Sequence, residues 1–171
     1  MPTNSEEQIS VDLGAILEGL VEAGVDFILV GGLAAVVQGA PVTTMDVDIV
    51  HNQTPENIAR LIDYLESIGA FHRRPDDKVM KPRKGDISGK GHALFTTRLG
   101  PIDVLAGIEE GRAYGDLLEH AVDLEFRNQT IQVLGLETLV RIKRNSTNPQ
   151  DRQRLPVLEE TLRQLKKEYD G

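Results

Sequence analysis

Between Asp26 and Val50 the chain reads Asp26-Phe-Ile-Leu-Val-Gly31-Gly32-Leu-Ala-Ala-Val-Val-Gln-Gly39-Ala-Pro-Val-Thr-Thr44-Met-Asp46-Val-Asp48-Ile-Val. The order predicts a buried strand, a glycine turn, a short apolar helix, a loop and a second strand that carries two acids. Side chains alternate faces along a strand, so Asp46 and Asp48 project together and Val47 opposes them. Two carboxylates this close repel each other unless a cation sits between them. Hard oxygen donors of this kind suit Mg²⁺, which binds through one or two carboxylates plus substrate phosphates. The pattern therefore points to metal-assisted phosphoryl or nucleotidyl transfer.

Composition removes several other chemistries. Cysteine is absent, which excludes disulfides, thiol nucleophiles and thiolate zinc sites. The chain has 171 residues, 40% of them hydrophobic and 27% charged, as expected of one globular domain over residues 1–171. Its start, Met-Pro-Thr-Asn-Ser-Glu-Glu-Gln, lacks the basic and apolar stretches of a signal peptide, and no apolar run approaches the ~20 residues of a bilayer span. A cytoplasmic protein with no membrane partner is expected. A net charge of −8 argues against a surface that coats nucleic acid. The charge is uneven, however: from Arg73 to Lys90 seven basic residues face three acidic ones. That segment reads either as a solvated surface loop or as a basic lip that draws phosphates toward an acidic site.

The remaining elements follow from periodicity and punctuation. Ser5 to Gln8 matches a capping box, and Ile9, Leu13, Ile16, Leu17 and Leu20 recur at helical spacing as far as Ala23 and Gly24. Leu33 to Gln38 forms the short helix. Thr54 caps a helix with Pro55 at its first position and Ile58, Leu61, Ile62, Leu65 and Ile68 on its apolar face. Ala93–Leu99 and Ile102–Ala106 read as antiparallel strands around a Gly100-Pro101 turn. On the second of these Asp103 is a lone acid among apolar residues, which calls for a partner: a shared metal, Arg98, or another base across the hairpin. A short helix over Tyr114–Ala121, a hairpin turning at Arg127 and Asn128, and two helices on either side of Pro149 complete the chain. The sum is an α+β fold with a mixed sheet flanked by helices, its core over about 24–110 and a C-terminal helical part over about 135–169.

Gly31 and Gly32, then Thr44, Asp46 and Asp48, then Asp103 on a later strand together resemble the core signature of the nucleotidyltransferase superfamily with a polymerase-β-like fold. The stretch Leu139-Val-Arg-Ile-Lys143, with Asp151 opening the next helix, is similar to the small stand-alone, abortive-infection toxin-type branch. Val42 stands where many members carry arginine, and Asn148-Pro-Gln-Asp151-Arg replaces the usual tail. The resemblance implies a Mg²⁺-dependent enzyme that moves a nucleoside monophosphate from an NTP such as ATP to a hydroxyl on RNA, protein or a small molecule, with a toxin or antitoxin partner. Asp46, Asp48 and Asp103 would be the catalytic and metal-binding acids of a two-metal site, in which Asp46 and Asp48 bridge both ions and Asp103 holds only the one nearest the acceptor hydroxyl.

Gly31, Gly32, Thr44 and Lys143 are the expected nucleotide-binding residues. The glycines either admit a triphosphate to the backbone or serve a tight strand-to-helix turn, Thr44 either orients Asp46 or is a β-favouring loop residue, and Lys143 meets either phosphate or Asp151. Neither a Gly-x-Gly-x-x-Gly fingerprint nor a Walker lysine is present. The histidines at 51, 72, 92 and 120 lack ligand spacing and are expected on the surface or in loops, with His51 nearest the site. The competing reading is a non-catalytic nucleotidyltransferase-like binding module or antitoxin.

Overall fold

The computed structural model describes residues 11–170. Its first helix, α1 (Leu13–Glu22), begins at Asp12, whose carboxylate accepts from the Ala15 N–H at 3.0 Å; the capping box expected at Ser5 to Gln8 and the apolar Ile9 lie outside the described residues. β1 (Phe27–Val30) runs straight into α2 (Gly31–Val37), and β2 (Val47–His51) follows. In α3 (Pro55–Ser67) the Thr54 hydroxyl accepts from the Asn57 N–H with Pro55 at the first turn, the start that the sequence implies. β3 (Phe71–His72), β4 (Ala93–Thr97), β5 (Gly100–Leu105), α4 (Tyr114–Leu117), β6 (Ala121–Phe126), β7 (Gln129–Leu134), α5 (Leu136–Arg144) and α6 (Pro149–Asp170) complete the order.

The seven strands form one mixed sheet in the order β3-β4-β5-β2-β1-β7-β6. β2 lies between β1, antiparallel, and β5, parallel. The parallel pairing requires the chain to cross over through α3 and β4 before it returns beside β2. Ile28, Leu29, Ile49 and Ile102 are fully buried, so these central strands read as near-continuous apolar runs. α1 and α3 pack closely: the Tyr64 hydroxyl donates to the Ile16 carbonyl at 3.0 Å, and a Cβ on Gly19 would collide with the Tyr64 ring.

Two local expectations are corrected. The β4–β5 turn is Arg98-Leu99, not Gly100-Pro101, because Gly100 already pairs with Thr97 across the ladder. The Thr97 hydroxyl closes that turn, accepting from the Leu99 and Gly100 N–H groups at 3.0 and 3.1 Å and donating to the Gly100 carbonyl at 2.7 Å. His51 is not a surface or loop residue but is 2% exposed at the end of β2. Its Nε2–H donates to the Ile87 carbonyl at 2.7 Å, and burial lowers its pKa. The basic stretch after β3 is also not a free loop throughout: His72 bonds to Asp86 at 2.9 Å, Arg74 to Asp76 at 2.8 Å, and Lys84–Ile87 form a 3₁₀ turn.

Candidate active site

The three aspartates meet because of strand register. Asp48 on β2 lies directly beside Asp103 on β5 in the parallel pair, and residues so paired project from the same face. Asp46 immediately precedes β2 and faces the same way. One carboxylate oxygen from each of the three lies within 4.8 Å of the others. On β5 the burial alternates as expected, with Ile102 and Val104 inward and Asp103 partly exposed.

The cluster is electrostatically loaded. Burial, then the charges of Asp46 and Asp103, push the Asp48 carboxyl up to about 7, against a smaller opposing pull from Lys143. Burial and Asp103 also raise Asp46, while Arg73 and Arg154 lower it. Asp48 Oδ1 is buried and has no hydrogen-bond partner among the described residues. A buried oxygen left open in a ring of hard oxygen donors fits a divalent cation, since such an atom otherwise costs about 1–3 kcal/mol of lost solvation.

The glycine pair is built around the same acid. Val30 pairs with Asp48, and the next residue, Gly31, opens α2 at φ 72°. A Cβ there would collide with Asp48 Oδ2, so Gly31 serves both the turn and the acid. At Gly32 a Cβ would meet Thr44 Oγ1 at 3.0 Å and Arg154 Nη1 at 3.3 Å. Thr44 is close to Asp46, but its hydroxyl donates to the backbone carbonyl of Asp46 at 3.4 Å rather than to the carboxylate. Lys143 bonds to Asp151 at 2.6 Å, and Ser146 donates to the other oxygen of Asp151 at 2.6 Å. This structural pair holds α5 to α6, and Lys143 also lines a narrow cleft with Gly31, Gly32, Val42 and Arg154.

Two cations stand at the site, of which the sequence expectation has Arg73 only as the start of the basic stretch and Arg154 not at all. Arg154 on α6 donates to the Thr43 carbonyl at 3.0 Å and thereby ties the C-terminal helix to the loop before Asp46. Its place three residues after Asp151 and four before the buried Leu158 is the signal that could have found it, because that spacing defines one helix face. Arg73, just beyond β3, donates from Nη2 to Asp103 Oδ1 at 3.0 Å and to the Phe95 carbonyl at 2.9 Å. The base that partners Asp103 is therefore Arg73 and not Arg98, which donates to the Ser67 carbonyl at 3.3 Å.

No protein-family model and no curated protein matches this chain. Solved structures do. The lincosamide antibiotic adenylyltransferase LnuA, lincomycin-bound, superposes with a TM-score of 0.60 at 16% identity, over 89% of this chain and 99% of its own. ANT(2″)-Ia in complex with adenylyl-2″-tobramycin superposes with a TM-score of 0.54 at 12% identity, over 86% and 85% of the two chains. At such identities the likeness lies in the arrangement of helices and strands, and this chain shares the fold of these two proteins.

Proposed function

We propose that the protein is a nucleotidyltransferase that moves a nucleoside monophosphate from an NTP to a hydroxyl acceptor. The observation that carries this reading is the Asp48 and Asp103 pair, side by side in register, joined by Asp46 and with one buried carboxylate oxygen left open. Asp46 and Asp48, with Asp103 beside them, would hold Mg²⁺, whose charge when bound offsets that of the phosphates. Transfer requires an acceptor oxygen to bond to the α-phosphorus as the bond to the β-phosphate oxygen breaks and pyrophosphate leaves. Asp103, to which the family resemblance gives the acceptor side, takes the proton from the attacking hydroxyl. Gly31 and Gly32 let the triphosphate reach the backbone, while Arg154 and Lys143 border the cleft beside them and supply positive charge. Arg154 reaches this place from α6 where Val42 offers no charge.

Both neighbours named above carry small antibiotics or their adenylyl derivative, which favours a small hydroxyl-bearing molecule as acceptor over a macromolecule. The test is incubation with each α-labelled NTP, Mg²⁺ and, separately, hydroxyl-rich antibiotics, total RNA and total cell protein. The expected result is label on a small molecule with stoichiometric pyrophosphate, lost in Asp48→Asn and in Asp103→Asn. Label on RNA or protein would instead support the toxin–antitoxin setting that the sequence resemblance implies. No Mg²⁺-dependent transfer to any acceptor, with an intact fold, would leave a binding module.

A further inference from the structure

Arg73 is tethered at both ends. Its backbone N–H donates to the Leu94 carbonyl at 2.8 Å, continuing the β3–β4 ladder, and its guanidinium spans β4 to reach Asp103 on β5. The Asp103 side chain is only 16% exposed, against 38% for Arg73, so the contact takes up one oxygen of an acid that is largely shielded from solvent. A guanidinium is permanently charged and planar, and sharing Nη2 between a backbone carbonyl and a carboxylate fixes its orientation. Any divalent ion bound through that oxygen would lie against a fixed positive charge at short range, where Coulomb repulsion is strong.

Resting on the reading above, we propose that Arg73 is a resident cation of this site: it occupies the position at Asp103 that a second divalent ion would need, leaving a single-ion site on Asp46 and Asp48. Asp103 is then oriented by Arg73 rather than by metal, which frees its other oxygen to receive a proton. Arg73 is a positioning residue in this scheme, and Asp103 is the group that touches the acceptor.

The test counts ions. The parent protein, saturated with a non-hydrolysable NTP analogue, is titrated with Mn²⁺ and followed by calorimetry and by electron paramagnetic resonance. One Mn²⁺ per chain with an uncoupled spectrum is expected for the parent and for Arg73→Lys, which keeps the charge. Arg73→Gln is expected to take two ions and to show the splitting of a spin-coupled pair. Two ions in the parent, or one ion in Arg73→Gln with its circular dichroism unchanged, would overturn the role of Arg73 while leaving the nucleotidyltransferase reading intact. No Mn²⁺ and no nucleotide bound by the parent would overturn that reading and this one with it.

Discussion

Asp48→Asn should make the metal-free protein more stable at alkaline pH, although it removes a central acid of the site. Unfolded, the carboxyl gives up its proton near 3.8; folded, it does so at about 7. Between those values the native state holds a proton that the unfolded chain has released, so stability falls as pH rises from about 4 to about 7 and stays low above it. At about 1.4 kcal/mol per pH unit the folded carboxylate is disfavoured by roughly 4 kcal/mol. Asparagine removes that penalty but leaves a buried amide short of partners, which costs about 1–3 kcal/mol. A net gain of about 2 kcal/mol is expected at pH 8, or roughly 4–8 °C in melting temperature for a chain of this size. At pH 5 the parent Asp48 is itself protonated, and the gain should shrink or vanish. Thermal melts with a chelator at both pH values read this directly, and added Mg²⁺ should close the gap by stabilising the parent alone. A variant that melts no higher than the parent at pH 8, or a gap of equal size at pH 5, would refute the reasoning.

Gly32→Val should lower NTP affinity by about tenfold or more, or 1.4 kcal/mol, because its side chain presses on Thr44 and Arg154 where the cleft is narrow; calorimetry with Mg²⁺ that finds equal affinity would reduce the glycine to packing. Gly31→Ala carries a left-handed backbone cost of about 1–2 kcal/mol and a collision with Asp48. Combining it with Asp48→Ala should recover part of the loss, and a denaturant double-mutant cycle with coupling below about 0.5 kcal/mol would deny the contact. Asn57→Ala should cost about 3 kcal/mol, since the buried amide accepts from the Asp26 N–H at 2.7 Å and donates to the Asp26 and Asn52 carbonyls at 2.9 and 2.7 Å; urea melts check it.

The acids and their sheet were legible because they depend on short-range rules. Alternation along β2 alone puts Asp46 and Asp48 on one face, the register of β5 beside β2 brings Asp103 to them, and the Thr54-Pro55 start of α3 follows from local chemistry. The β4–β5 turn was misread for the same reason that makes Gly-Pro a good turn signal: the glycine does have φ 133°, but the Thr97 hydroxyl closes the bend two residues earlier. Its freedom serves instead a close approach to α1, where a Cβ on Gly100 would meet Leu13 at 3.2 Å. The cations were illegible as site residues because their bonds are long-range. Arg73 reaches Asp103 across 30 positions, and Arg154 reaches Thr43 across 111. His51 reads from the sequence as a surface or loop residue, because only the later 3₁₀ turn at Lys84–Ile87 supplies the carbonyl its ring meets.

The parallel pairing of β2 with β5 also sets an order of assembly. During synthesis Asp48 leaves the ribosome well before Asp103, with α3, the basic stretch and β4 in between, and parallel neighbours cannot close until that whole crossover is in place. A nascent or truncated chain that stops short of β5 thus holds two acids without Asp103, and the counter-charges from α6 arrive later still. On the proposed function, competence for transfer is a property of the finished tertiary structure, and metal affinity would report how much of a population has completed folding.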